Sequence, residues 1–259
     1  MGRLLAIDGL NIVRRLYEAS DEEDAVLRAD KALRHALAAF ARLLSSHQPT
    51  HAFAAFDAGG HTWRHALHTA YRQNRKPMPE ELQRVLPDLH ARLADTGLRV
   101  VTVPDVEADD VIATAVLRWL QEARGEAIVV STDKDLHGLI EHGALIWDHF
   151  KNEWHDSAWV QAKFGVPPDL LPDLLALVGD VPDGIPGVSK VGVKTAARLL
   201  QSYGSIDGIM AGAGILKDAL GERLRGEREQ LMLSRQLTAL KTDVRLGVTW
   251  NMLACAPQA

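Results

Sequence analysis

The feature that most constrains this chain is a repeat of short apolar runs, nearly all followed by carboxylates. LLAI (4–7), AFAAF (52–56), RVVTV (99–103), AIVVS (127–131) and ALIW (144–147) are brief and continuous rather than alternating. Strands covered on both faces read this way, because neither face meets water. Between them, 25–45, 79–96 and 107–123 carry helical patterns. Pro79 ahead of Glu80 and Glu81 makes a favourable helix start. The alternation predicts an α/β fold with a mostly parallel central sheet flanked by helices. After about residue 165 the strand-like runs stop. Segments 168–178, 192–203, 205–211 and 227–236 read as helices broken by Gly and Pro. The expected division is an α/β core over 1–165 and a helical region over 166–259.

The acids follow the strands. Asp8 comes after the first, Asp57 after the second, Glu107, Asp109 and Asp110 (EADD) after the third, Asp133 and Asp135 (STDKDL) after the fourth. In an open parallel sheet the C-terminal strand ends line one crevice, where ligands bind. Four strands thus deliver seven carboxylates to one rim. Asp180 and Asp183 (VGDVPDGIPGV, 178–188) lie in a Gly/Pro-rich loop that could fold over it. So many anions raise one another's pKa unless cations sit between them. Carboxylate and water ligands select hard ions such as Mg²⁺ or Mn²⁺. Two such ions can clamp the attacking and leaving oxygens of a phosphodiester displacement.

Each acid taken alone also has a plainer reading. Asp after a strand is a favoured helix cap, and EADD at a helix start complements the dipole. Caps do not require nearly every strand end to be acidic, so the joint pattern favours metal. Asp148, Asp105 and Asp156 lack that pattern and are read as structural.

Two basic segments accompany the acids. HTWRHALHTAYRQNRK (61–76) interleaves Arg64, Arg72, Arg75 and Lys76 with Trp63 and Tyr71, as a segment tracking a single strand would, or as an ordinary solvated helix face would. In PGVSKVGVKTAARLL (186–200), Gly187 and Gly192 allow a tight turn between two helices. Val188, Val191, Leu199 and Leu200 would pack that pair. The turn would offer backbone N–H groups and a helix start to phosphate, with Lys190, Lys194 and Arg198 close by.

Composition sets outer limits. Net charge is −5, unhelpful for a nucleic-acid binder, yet removing nine clustered carboxylates from that sum leaves +4. Hydrophobic residues make up 47% of the chain, enough for a core without staples. The single cysteine, Cys255, can build neither a disulfide framework nor a thiolate metal site. A reducing cytoplasm and a monomer are expected, with no signal peptide and no membrane-spanning stretch.

The clusters DGLN, AAFD, EADD, STDKDL and GDVPDGIPGV, in this order and followed by the glycine hairpin, resemble the 5′ nuclease family. That family includes flap endonucleases, phage 5′–3′ exonucleases, the N-terminal domain of bacterial DNA polymerase I and short standalone bacterial members. The likeness runs from about residue 3 to about 245, and LSRQLTALKTDV (233–244) is similar to the family's closing helix and strand. The resemblance implies a PIN-like nuclease core, a helical arch over about 61–90 and a C-terminal helix-hairpin-helix holding duplex.

It further implies hydrolysis of branched or 5′-ended DNA in replication or repair, with two or more Mg²⁺ or Mn²⁺ ions. By motif position a first ion falls to Asp8, Asp57, Glu107 and Asp109. A second falls to Asp110, Asp133, Asp135, Asp180 and Asp183. Arg72 and Arg75, with Tyr71 beside them, are the implied catalytic residues of the arch. Arg64, Lys76, Gly187, Lys190, Gly192, Lys194 and Arg198 are the expected DNA contacts, and the backbone of Val188 and Val191 an expected K⁺ site. A DNA polymerase or sliding clamp is a further expected partner. Arg72 stands where the family usually has lysine, and arginine keeps the charge without giving up a proton. Asp135, Asp180 and Asp183, absent from some short relatives, are all present. Two other readings are a non-cutting flap- or junction-binding module and a PIN-like ribonuclease.

Overall fold

The computed structural model describes residues 2–214 and 218–256. A six-stranded sheet has the order β3-β2-β1-β4-β5-β6. The strands are β1 (Gly2–Asp8), β2 (His51–Ala55), β3 (Arg99–Val101), β4 (Gly125–Val130), β5 (Leu145–Asp148) and β6 (Glu153–His155). The first five are mutually parallel, and β6 returns antiparallel to β5. Only β6 was not foreseen. Three residues, Glu-Trp-His, carry no readable period, and pairing with β5 alone makes them a strand.

Both sheet faces are buried, which explains the continuous apolar runs. Along β1, Leu4 and Ala6 enter one core with Trp119, Val116 and Leu253, while Leu5 and Ile7 enter the other with Phe40, Leu43 and Leu89. Helices α1 (Gly9–Glu18), α2 (Ala25–His47) and α4 (Glu80–Asp95) cover that second face. The first face is covered by α5 (Ala108–Gln121), a 3₁₀ helix (Lys134–His142) and the short helix α12 (Trp250–Leu253). Helix α1 was also unforeseen. It begins where β1 ends, because the Asp8 side chain accepts the Asn11 N–H at 3.1 Å and caps it at once.

The expected arch is only partly helical. It consists of α3 (Trp63–Leu67), turns through residues 69–75, and the start of α4, which lies on the core rather than apart from it. Within the turns Arg72 has φ 56°, a left-handed conformation uncommon for a side chain of its size.

The C-terminal helices are α6 (Ser157–Phe164), α7 (Leu171–Val178), α8 (Val193–Tyr203), α9 (Ile206–Gly212), α10 (Ala219–Gly226) and α11 (Arg228–Thr238). They share a third core in which Val188, Val191, Leu199 and Leu200 are buried as expected. The expected closing strand after α11 is absent. Residues 239–249 run without regular structure along the sheet's first face, where Val244 and Leu246 bury and the Thr114 hydroxyl donates to the Lys241 carbonyl. Among the described residues no helix is long and apolar enough to cross a membrane.

Candidate active site

Between β1 and β4 the strand order reverses direction, which is where an open parallel sheet splits to form a crevice. Asp8 ends β1 there, buried, with the Ser131 hydroxyl donating to its Oδ2 at 2.8 Å. Asp57, just past β2, accepts the Ala108 N–H at 2.8 Å and so ties β2 to the start of α5. Asp133 accepts the Asp135 N–H at 3.0 Å and opens the 3₁₀ helix. The cap reading and the cluster reading are therefore both realised. Capping aims each carboxylate at the same place.

That place is a cleft of about 250 Å³ whose lining includes Asp8, Asp57, Asp109 and Asp133 together with Arg72 and Arg75. Burial, and then the charges of Asp133 and Asp57, push the Asp8 carboxyl up to about 7 against the lowering effect of its hydrogen bonds to Ser131 and Asn11. Burial and the neighbouring carboxylates of Asp133, Asp8, Asp135 and Asp57 hold Asp109 well above the usual range. Asp135 is pushed up to about 7 by burial and Asp133, with Lys134 opposing and Asp180 and Asp183 adding to the rise. All-oxygen donors that resist ionising unless a cation arrives fit hard divalent ions.

Asp180 and Asp183 fold back toward the rim as the sequence suggested. Asp180 and Ile185 exchange two backbone hydrogen bonds of 2.8 Å, closing a small loop. The Asp180 side chain accepts the Asp183 N–H and pairs with Lys134. The loop sits tightly on the arch segment. A Cβ on Gly184, at φ 68°, would lie 2.5 Å from the Ala70 carbonyl oxygen. The Arg72 N–H donates to the Asp183 carbonyl at 2.9 Å, which holds Arg72 in its left-handed turn. From there its guanidinium reaches Glu107 at 3.0 Å, and Asp57 and Asp183 at 3.7 Å each. Arg75 approaches Asp183 at 3.7 Å.

Three expectations are corrected by burial. Arg64 is 3% exposed and does not face DNA; its Nη1 and Nη2 donate to both Asp110 oxygens at 2.8 and 3.0 Å. It also donates to the carbonyls of Leu237 and Ala239, fastening α3 to the end of α11. Asp110 is fully buried and turned away from the cleft. Besides Arg64 it accepts the Trp63 indole N–H and the Lys241 N–H, both at 2.9 Å, which leaves it structural rather than a metal ligand here. Tyr71 is buried behind the acids, donating its hydroxyl to Glu107 at 3.2 Å, so it positions Glu107 rather than touching the cleft. Glu107 itself lies between Arg64 and Arg72, at 3.3 and 3.0 Å. Burial raises its pKa and the two arginines oppose the rise.

The hairpin between α7 and α8 is built on close approach. A Cβ on Gly187, at φ 62°, would lie 2.6 Å from the Gly179 nitrogen. Gly192 caps α8 in extended conformation. Lys190, Lys194 and Arg198 are exposed on this edge, and Lys76 is exposed on the arch segment. The Val188 carbonyl already accepts the Val191 N–H at 3.1 Å. Sequence reasoning passed over Ser131, Lys134, Arg14 and Arg15. The last two line the cleft from α1, and a helical reading of DGLNIVRRL would have placed them beside Asp8.

A crevice of acids at the switch point of a parallel sheet, lined also by arginines, defines a divalent-metal-dependent phosphodiester hydrolase. Family models of the 5′–3′ exonuclease match nearly the whole length: the N-terminal resolvase-like domain over residues 3–165 and the C-terminal SAM fold over 166–259. The chain belongs to the 5′–3′ exonuclease family and is a 5′ nuclease. It is 38% identical to the flap endonuclease Xni of Shewanella amazonensis over 99% of this chain and 100% of the relative. Identity to the Xni of Psychromonas ingrahamii is 34%, covering 94% of each chain. The fold superposes on T5 5′-exonuclease with bound zinc at TM-score 0.79, with 20% identity, 93% of this chain and 90% of that one covered.

Proposed function

We propose that this protein cuts DNA where a 5′ single strand leaves duplex, leaving a 5′-phosphate and a 3′-hydroxyl. The observation that carries the reading is the convergence of Asp8, Asp57, Asp109 and Asp133 in one cleft with Arg72 and Arg75. Those four acids would hold one divalent ion, and Asp135, Asp180 and Asp183 a second. Mg²⁺ is the proposed ion, with Mn²⁺ as a substitute. When bound, the ions supply charge neutralisation at the attacking and leaving oxygens.

The chain's own residues bind and orient. Arg75 and Arg72 present guanidinium forks to the scissile phosphate, and Arg72 works by charge alone because it does not give up its proton. Tyr71 and Arg64 keep Glu107 in place behind Arg72. Lys190, Lys194, Arg198 and the free start of α8 grip duplex phosphates without reading bases, and Lys76 contacts the 5′ strand. A K⁺ ion held by the Val188 and Val191 carbonyls would add a further positive charge there. Action as a monomer in the cytoplasm beside a DNA polymerase or sliding clamp belongs to the same reading. The curated relatives' names and the intact acids support cutting over a binding-only role.

The test is cleavage of a labelled double-flap DNA with and without Mg²⁺, mapped to the nucleotide, alongside a matched RNA flap. Mg²⁺-dependent cutting at the flap base is expected. Binding without cutting in Mg²⁺ or Mn²⁺ would overturn the reading, and preference for RNA would replace the substrate.

A further inference from the structure

We propose that Asp148, Glu153 and His155, on the hairpin of β5 and β6, form a binding site for one transition-metal ion such as Zn²⁺, separate from the catalytic cleft. One donor atom from each side chain lies within 4.8 Å of the others. Asp148 and His155 are 2% and 4% exposed, and Glu153 closes the site from the solvent side.

A count of protons supplies the independent observation. His137, from the 3₁₀ helix, is 1% exposed and has its Nδ1 2.8 Å from the Asp133 carbonyl oxygen. A carbonyl only accepts, so this nitrogen carries a proton. His137 Nε2 and His155 Nδ1 are 2.8 Å apart and share one proton between them. His155 Nε2 faces Glu153 Oε1 at 3.1 Å and Asp148 Oδ2 at 4.0 Å, again acceptors only. Two neutral imidazoles bring two protons to three such contacts, and the one left without is His155 Nε2 against the carboxylates. With both rings neutral, the His155 Nε2 lone pair faces two carboxylate oxygens, and a metal ion held by all three would satisfy that arrangement.

The surroundings suit a metal. Asp148 Oδ1 accepts the N–H groups of Phe150 and Lys151, which directs Oδ2 at the histidine. Trp159 stacks on His155 with centroids 3.6 Å apart and fixes the ring plane. The Nδ1–H bond to His137 is the outer partner that metal-binding histidines characteristically have. One imidazole and two carboxylates, with water in a fourth position, make a tetrahedral set that favours Zn²⁺ over Mg²⁺. Lys151 Nζ lies 3.6 Å from the same Glu153 oxygen and competes for it.

The experiment uses the full chain, stripped of metal and then held in excess Mg²⁺ so that the all-oxygen cleft is filled. Zn²⁺ is titrated against a competing chromophoric chelator. Wild type should take up one Zn²⁺ beyond the Mg²⁺-filled cleft. Glu153→Gln should weaken that uptake about tenfold or more. Lys151→Ala should strengthen it, and both variants should cut flaps in Mg²⁺ as wild type does. The His155 ring resonances should move on Zn²⁺ addition. Equal uptake by wild type and Glu153→Gln, or unmoved His155 resonances, would overturn the site.

Discussion

Replacing Asp110 tests whether its burial makes it structural. The side chain is fully buried and meets a nearly buried guanidinium through two bonds of 2.8 and 3.0 Å. Asp110→Ala removes both, along with the acceptors for the Trp63 indole and the Lys241 N–H. Removing one member of a buried pair costs roughly 3–5 kcal/mol, because the survivor stays buried and charged. Arg64 keeps Glu107 at 3.3 Å and two backbone carbonyls, so the lower end applies, about 3 kcal/mol. In a chain of this length each kcal/mol moves the melting temperature by about 2–4 °C, giving a fall of roughly 6–12 °C. Urea titration and thermal melting in excess chelator measure it without metal. Adding Arg64→Met to Asp110→Leu should recover much of the loss, since apolar groups of similar volume replace a buried pair well. If Asp110→Asn melts like wild type without metal yet loses divalent affinity, Asp110 is a ligand and the structural argument is wrong.

Three further outcomes follow from the cleft and the hairpin. Asp8 and Asp135 have folded pKa values of about 7, raised from 3.8. Their folded state binds protons more tightly, so what these two groups add to metal-free stability is fully present below about pH 4 and is lost as pH rises through about 7. The rise in melting temperature on adding Mg²⁺ should therefore be larger near pH 8 than near pH 5, and a shift independent of pH would count against the clustered acids. Arg75→Ala should lower single-turnover cleavage by about 10²–10³-fold while weakening flap binding much less; equal losses would make it a binding residue only. Lys190→Ala with Lys194→Ala should weaken all duplex sequences alike and reduce the slope of log K on log salt by about one per lost phosphate contact. A loss that depends on sequence would mean that the hairpin reads bases.

The chain's pattern was enough to determine the parallel sheet and the family of acids at its strand ends. Apolar runs buried on both faces and carboxylates just beyond them are local signals, and Asp8, Asp57, Asp109 and Asp133 meet because parallel strands end on one side. The paired valines and leucines of the hairpin were legible for the same reason. Tertiary structure decided which neighbours in EADD do what. Asp109 and Asp110 are adjacent in sequence, yet a helix turns successive side chains about 100° apart, so one enters the cleft and the other the core. Arg64 and Arg72 look alike within one basic stretch. Contacts with residues far away in the chain, the Leu237 and Ala239 carbonyls for one and the Asp183 carbonyl for the other, bury the first and hold the second over the acids. The histidine pair is likewise invisible in sequence, since His137 and His155 meet only when β6 turns back beside β5.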